Sequence, residues 1–185
     1  MEDAAIVDLY WQRSDQAIPE TDQKYGHYCH TIAYNICTNH EDAEECVNDT
    51  WFRAWNLMPD QRPSILSAFL GAISRNLALD CYRRRTRKKR GGGETELALE
   101  ELDDCIPGGG NVEQQIEEQE LERAIDIFLS TLPESERKIF VARYWFVAPV
   151  KEIAARLDCS PGKVKTTLYR LRGRLRSYLQ EEGLV

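Results

Sequence analysis

Apolar residues recur with a spacing close to 3.6 along most of this chain, and no segment needs the strict alternation of a β-strand. Pro59 and Pro63 predict a non-helical connection between two helices in the first half of the chain, because proline disrupts the interior of a helix. Eight segments show the helical spacing and are predicted α-helices: about 4–13, 20–37, 41–57, 64–87, 113–130, 134–145, 150–157 and 161–181. The pattern therefore predicts an all-α fold.

Two glycine clusters interrupt this pattern near the middle of the chain. Residues 91–93 are three glycines, and residues 107–110 are a proline followed by three glycines. The sequence between the clusters is acidic. Glycine-rich segments behave as flexible coils, so residues 91–111 are predicted to form a flexible, acidic linker. Two small helical domains, residues 1–90 and 112–185, are expected on either side of it.

Charge is strongly segregated along the 185 residues. The formal net charge is −7, yet residues 62–90 carry +8 and residues 133–185 carry +5. Residues 1–61 carry −9 and residues 91–132 carry −11. Two basic blocks favour contact with a polyanion, while the acidic blocks are either solvated or meet a basic partner.

Residues 150–176 have the layout of a helix-turn-helix, so the second domain is expected to be of that type (winged-helix-like). Ser160 is suited to cap the second helix, and Pro161 suits its first position, which needs no N–H donor. Apolar residues at 164, 168, 171 and 175 fall on one face of this helix. The opposite face carries six cations and no acid between residues 163 and 176. A merely solvated face would mix signs, so the pattern favours insertion into a DNA groove.

Side chains for base contacts are expected on the outward face of this helix, towards its N-terminal half. For Tyr169, packing against the preceding helix is an open alternative. The candidates for base contact are Lys163, Lys165, Thr166, Tyr169 and Arg170, and those for phosphate contact are Arg172, Arg174 and Arg176.

A second basic segment ends the first domain. Seven of the eight residues from 83 to 90 are cations. Positive charge is favoured at a helix C-terminus, but that effect accounts for only a few of the seven. A polyanion is therefore the expected partner here as well.

Residues 42–55, DAEECVNDTWFRAW, combine an acidic face with aromatic residues. Trp51 and Phe52 point about 100° apart on a helix, so at least one aromatic side chain is expected at the surface. An exposed aromatic residue suggests a protein interface, whereas packing between helices accounts for Trp51.

Six cysteines are scattered without a C-x-x-C pair, so reduced, packed thiols are expected. A zinc site drawn from His27, Cys29, His30, Cys37 and His40 is an alternative, but these residues do not share one helix face. No metal, no cofactor and no enzymatic activity are expected, since no phosphate loop, nucleophile triad or paired carboxylates are evident. The acidic N-terminus lacks a signal-peptide layout, which favours a cytoplasmic location.

Three of these segments occur together in one protein family. Residues 42–55 resemble region 2.2 of the bacterial RNA polymerase sigma-70 superfamily. Residues 67–88, SAFLGAISRNLALDCYRRRTRK, resemble its regions 2.3 and 2.4, and residues 132–175 resemble region 4. Because the three segments occur in this order and with this spacing, the chain resembles the small two-domain sigma factors of the extracytoplasmic-function type.

The resemblance implies a promoter-specificity subunit. The first domain is then expected to bind the β′ clamp coiled coil of core RNA polymerase and to recognise the −10 promoter element. The second is expected to recognise the −35 element, with the β flap as a further polymerase contact, and an anti-sigma factor is a usual partner in this family. The implied polymerase-binding residues are Asp42, Glu45, Asn48, Asp49 and Arg53. The implied −10 residues are Arg75, Asn76, Asp80, Tyr82, Arg83 and Arg84, and those for −35 are Lys163, Lys165, Thr166, Tyr169, Arg170 and Arg172.

A free-standing helix-turn-helix regulator is the alternative function. It would pair one helix-turn-helix with a dimerisation or ligand domain, and it leaves residues 42–55 unexplained. An enzyme acting on nucleic acid would need a metal site or paired carboxylates, which the sequence does not offer.

Overall fold

The computed structural model describes residues 1–58, 60–86, 93–103, 105 and 114–184, and these residues contain α-helices and no β-strand. The chain divides into two compact units, Met1–Gly91 and Gly92–Val185. The helices are α1 Asp3–Trp11, α2 Ala17–Cys37, α3 His40–Leu57, α4 Leu66–Thr86, α5 Glu94–Asp103, α6 Gln114–Thr131, α7 Glu134–Tyr144, α8 Val150–Arg156 and α9 Pro161–Glu181.

The first unit is a bundle in which α2, α3 and α4 pack on one another and α1 packs on α2. Tyr10, Met58 and Leu70 are fully buried in its core, and Trp51 of α3 joins them. Each such side chain stabilises the fold by about 1.5–3 kcal/mol through removal of apolar surface from water. The buried hydroxyl of Tyr10 forms a hydrogen bond of 2.9 Å with the hydroxyl of Thr21, so this polar group has a partner inside the core.

The connection between α2 and α3 is only two residues long, and its sequence explains why. Thr38 adopts a left-handed conformation with φ of 53°, which ends α2. Asn39 then caps α3, because its side chain accepts a hydrogen bond of 3.0 Å from the backbone N–H of Asp42. This tight turn brings the C-terminal end of α2 close to the first turns of α3.

The second unit is organised around α9, which contacts α6, α7 and α8. The apolar face predicted at residues 164, 168, 171 and 175 is buried, and Leu179 extends it by one turn. Phe128 of α6 and Phe140 of α7 meet edge-to-face at 6.4 Å beside it. The helix-turn-helix is thereby fixed to the core through the hydrophobic face of its second helix.

The structure differs from the predicted flexible linker over residues 94–103, which form α5 and pack against α7. Thr95, Ala98 and Cys105 are buried, so one side of this segment contributes to the core of the second unit. The division between the units falls after Gly91, close to the predicted end of the first domain. The second predicted glycine cluster, residues 107–110, lies outside the described residues.

Arg143 of α7 holds α5 in place. Its side chain is 0% exposed, and its guanidinium donates to Glu94 at 2.7 Å and Glu101 at 3.1 Å, both on α5. It also donates to the carbonyl of Ala148 at 3.2 Å. Burial alone would lower the pKa of Arg143, but the hydrogen bonds to Glu101 and Glu94 raise it. Separating α5 from α7 would leave these charges without their partners, so the ion pairs oppose that separation.

Within the described ranges, no helix combines the length and apolar character that a membrane crossing requires.

Candidate nucleic-acid and protein interfaces

The helix-turn-helix predicted at residues 150–176 is present as α8, a short turn and α9. The side chain of Ser160 accepts a hydrogen bond of 3.2 Å from the backbone N–H of Lys163, and Pro161 occupies the first helical position. Asp158 has a φ of 48°, the left-handed conformation that reverses the chain after α8. The cap and the turn define where α9 begins, and residues 161–163 at its N-terminal end are exposed.

The five residues predicted to contact bases all lie on the exposed side of α9: Lys163, Lys165, Thr166, Tyr169 and Arg170. Tyr169 is 75% exposed, so it does not pack against the preceding helix. A single exposed aromatic ring is common on protein surfaces, so its exposure alone does not identify a partner. The structure places this ring among three exposed cations of the same helix.

Arg170 is positioned by an acid of α7. Its guanidinium forms an ion pair with Glu136, which also pairs with Arg174 at 3.2 Å. The Glu136 side chain is mostly buried, whereas the two arginines remain largely exposed. One carboxylate shared between two arginines leaves a net positive charge at the surface and limits the freedom of both.

Arg172 is placed differently from the prediction. Its side chain is only 20% exposed and donates a hydrogen bond of 2.8 Å to the hydroxyl of Tyr144. It also lies 3.6 Å from the carboxylate of Glu101. Arg172 therefore belongs to the polar cluster beneath α5 and not to the exposed basic face, because it lies at the edge of the buried stripe of α9.

The tyrosine in that cluster stays neutral. Burial, more than any neighbouring charge, raises the pKa of Tyr144 to about 12. Its hydroxyl therefore accepts from Arg172 and donates to Glu101 at 3.1 Å. The cluster links α5, α7 and α9 within the second unit.

The exposed face of α3 carries four of the predicted polymerase-binding residues, Glu45, Asn48, Asp49 and Arg53. Asp42 is less accessible, because it pairs with Arg85 of α4. Phe52 lies on the same side as the four and is 67% exposed, while Trp51 is buried. The prediction of a surface aromatic residue in this segment is confirmed, and the residue is Phe52.

Predicted −10 residues occupy two environments along α4. Asn76, Asp80, Arg83 and Arg84 are exposed, and Asp80 pairs with Arg83 at 3.7 Å. Arg75 and Tyr82 are half-buried, and burial together with the charge of Arg83 lowers the pKa of Arg75. Residues 83–86 of the basic run lie in α4, and residues 87–90 lie outside the described part of the chain.

One cleft joins the two candidate surfaces of the first unit. It has a volume of about 560 Å³ and lies between α3 and α4. Its α3 side includes Glu45, Asp49 and Arg53, and its α4 side includes Asp80, Arg83 and Arg84. The sequence offers no signal for this meeting, which depends on the packing of the two helices. Predicted polymerase-binding and DNA-binding residues are therefore immediate neighbours.

Three cysteine thiols lie together at the cleft between α3 and α4, a grouping that the sequence did not suggest. The sulfur atoms of Cys37, Cys46 and Cys81 lie within 4.8 Å of one another, one from each of α2, α3 and α4. The set that included His27, Cys29 and His30 does not come together in this way among the described residues. Cys29 packs in the hydrophobic core, and His30 stacks on Tyr34 at 6.1 Å.

Comparison with known families accounts for both units. Residues 23–88 match Sigma-70 region 2, and residues 122–175 match Sigma-70, region 4. The RNA polymerase sigma-E factor of Streptomyces coelicolor is 30% identical over 148 residues, which are 77% of this chain and 75% of that protein. The ECF RNA polymerase sigma factor SigE of Mycolicibacterium smegmatis is 29% identical over 170 residues. This chain belongs to the extracytoplasmic-function sigma-70 family.

The aligned lengths differ among these sigma-70 relatives. The alignment covers 90% of this chain and 64% of the Mycolicibacterium smegmatis protein. The probable RNA polymerase sigma factor RfaY of Xanthomonas campestris pv. campestris is 28% identical over 149 residues, 80% of this chain but 36% of that protein. This chain thus spans less than two thirds of the length of either relative.

The sigma-70 matches map directly onto the helices. Region 2 contains α3, α4 and most of α2, and region 4 contains α7, α8, most of α9 and the second half of α6. The helix α5 lies between the two matched regions. The part of this sigma-70 chain that composition alone described as a linker therefore contains structure that neither match covers.

Proposed function

We propose that this chain is a non-enzymatic, cytoplasmic promoter-specificity subunit of RNA polymerase. It binds core polymerase through α3, captures the −10 element along α4 and recognises the −35 element as duplex DNA through α9. The observation that carries the proposal is the presence of both sigma-70 regions in one chain, each with exposed polar residues on the helix expected to act.

Protein binding by α3 is supported by the composition of its exposed face. Acidic Glu45 and Asp49 flank the exposed ring of Phe52, and interface cores favour such an aromatic anchor surrounded by polar side chains. The face suits a basic partner surface such as the β′ clamp coiled coil that the family resemblance implies.

Strand capture by α4 is supported by the cations along the cleft. Single-stranded DNA needs positive charge for its backbone and pockets for unstacked bases. Arg83 and Arg84 line the cleft beside the half-buried Arg75 and Tyr82. The exposed arginines would then contact the DNA backbone, and Asn76 and the ring of Tyr82 would contact the bases.

Duplex recognition by α9 is supported by the exposed basic face, with Lys163, Lys165, Thr166, Tyr169 and Arg170 nearest its N-terminal half. Lysine and arginine donate to guanine, and the threonine methyl contacts thymine. Arg172 is not included in this set, because it pairs inside the second unit with Tyr144.

The proposal is tested by adding the purified chain to sigma-free core RNA polymerase and a library of promoter DNAs. We expect sequence-selective run-off transcripts that are absent with core polymerase alone. Lys165→Glu should abolish selection at the upstream element. Lys138→Glu makes the same charge change at an exposed position of α7, in the same unit, and serves as the matched control.

Two results would contradict the proposal. Tight duplex binding without polymerase association would identify a free-standing regulator instead. Equal loss of transcription in the Lys165 and Lys138 variants would show that total charge, and not the face of α9, determines promoter selection.

A further inference from the structure

The three clustered thiols of the first unit have a geometry suited to a metal ion. Cys37 is the last residue of α2, Cys46 lies in the second turn of α3, and Cys81 lies in the last third of α4. Their sulfur atoms are within 4.8 Å of one another. In a tetrahedral zinc site with Zn–S bonds of about 2.3 Å, neighbouring sulfur atoms are about 3.8 Å apart. Small side-chain rotations therefore suffice to form such a site.

The cluster is also accessible to an ion. Cys37 and Cys46 are buried and Cys81 is half-buried, while Cys46 and Cys81 line the cleft between α3 and α4. The cleft is also lined by three acids and three arginines, so its charged groups balance. Its open side leaves room for a fourth ligand next to Cys46 and Cys81.

We propose that Cys37, Cys46 and Cys81 bind one zinc ion or a similarly soft cation, with the fourth coordination position open to the cleft. Thiolates select soft metals, and each bound thiol releases its proton on binding. The inference does not depend on the proposed function, because it rests on the sulfur geometry alone.

One thiol of the cluster is hydrogen-bonded to a neighbouring helix. The thiol of Cys37 donates to the backbone carbonyl of Ala78 on α4 at 3.6 Å. This hydrogen bond is given up when the thiol loses its proton to bind a cation.

A bound ion would connect the three helices of the bundle. Cys46 and Cys81 are neighbours of residues in both candidate surfaces, namely Glu45 and Asp49 on α3 and Arg84 on α4. Fixing α3 against α4 sets the width of the cleft that these residues share. Metal binding is therefore expected to raise the thermal stability of the first unit.

The test uses the full chain, purified with a phosphine reductant and then titrated with Co²⁺. We expect one equivalent to produce sulfur-to-cobalt charge-transfer absorption and the intense visible bands of tetrahedral coordination, both abolished by one equivalent of Zn²⁺. Cys81→Ser should remove the charge-transfer signal, because it deletes one of three thiolates. A combined Cys29→Ala, Cys105→Ser and Cys159→Ser variant retains only the cluster cysteines and should bind as the wild type does.

The outcomes separate metal binding from ordinary thiol packing. Folding of every variant is checked by circular dichroism, and the combined variant tests the inference even if Cys81→Ser unfolds. Absence of the charge-transfer signal in wild type would overturn the proposal, as would its persistence in Cys81→Ser or its loss in the folded combined variant. Fewer than six free thiols under reducing conditions, from a disulfide within the cluster, would also overturn it.

Discussion

Replacing Arg143 with methionine tests whether α5 is a fixed part of the second unit. Methionine keeps the aliphatic volume and removes the guanidinium. Glu94 then loses its ion pair with α7, and the carbonyl of Ala148 loses a donor. Glu101 loses its ion pair with Arg143 but keeps the hydrogen bond from Tyr144 and the 3.6 Å contact with Arg172. We expect α5 to open more often, because these remaining contacts offset only part of the interaction that the two ion pairs supply.

The magnitude follows from the burial of the two acids. Breaking a fully buried ion pair costs about 3–5 kcal/mol, whereas an exposed pair contributes about 0–1 kcal/mol. Glu94 is 48% exposed and contributes near the lower limit, while Glu101 is 21% exposed and lies closer to the buried case. We therefore expect a loss of about 3 kcal/mol.

Hydrogen–deuterium exchange of the full chain measures this loss locally. A change of about 3 kcal/mol accelerates exchange by roughly 150-fold where opening is at equilibrium. The peptide that covers residues 94–103 should show this acceleration, and peptides from α2 and α3 should be unaffected. Arg156→Met is the matched control, because Arg156 forms an exposed pair with Glu152 on α8.

Two outcomes would contradict this expectation. If exchange over residues 94–103 were unchanged in Arg143→Met, the ion pairs would not hold α5, and the predicted flexible linker would be the better description. A similar acceleration with Arg156→Met would show that the effect is not specific to the buried guanidinium.

Three further predictions concern exposed residues. Arg170→Ala should weaken binding to the −35 element by about 1–3 kcal/mol and reduce the discrimination between bases at one base pair. Binding to a panel of duplexes with single base-pair substitutions measures both effects. Arg176→Ala should instead weaken binding to all duplexes equally. Phe52→Ala should reduce affinity for core polymerase by at least about 1 kcal/mol in a fluorescence titration while leaving the unfolding midpoint unchanged, because the ring is 67% exposed. Hydrogen bonds from Lys24 and, to a smaller extent, from Tyr25 lower the pKa of Asp3. The ionised carboxylate therefore stabilises the folded state at pH values above the unfolded-state pKa. This stabilisation is lost as the pH falls through the pKa of the folded state. Asp3→Asn should therefore reduce stability near neutral pH, by less than about 1 kcal/mol given its exposure, and the difference from wild type should vanish in acid urea titrations.

Helices and the helix-turn-helix could be predicted because their determinants are local. The spacing of Val164 and Leu168 defines the buried face of α9, and Ser160 with Pro161 defines where that helix begins. A single chain segment carries all of this information. The family assignment could be predicted for the same reason, since each motif is contiguous.

The prediction was incomplete for α5 because this helix is short and acidic and is bounded by glycines. Ten residues form a marginal helix in isolation, so its stability depends on a tertiary partner. That partner is Arg143, forty-two residues from Glu101 in sequence. The mostly buried position of Arg172 could not be predicted for a related reason, because its partners Tyr144 and Glu101 come from two other helices.

Local patterns in the sequence were enough to predict every helix except α5, the apolar and charged faces of those helices, and the family of the chain, because these depend on residues a few positions apart. Three features emerge only from the packing of the helices: the exposed residues of α3 and α4 share a cleft, α5 joins the second unit, and Cys37, Cys46 and Cys81 meet. Each of these depends on the angle and register at which separate helices pack, which no local pattern of residues specifies.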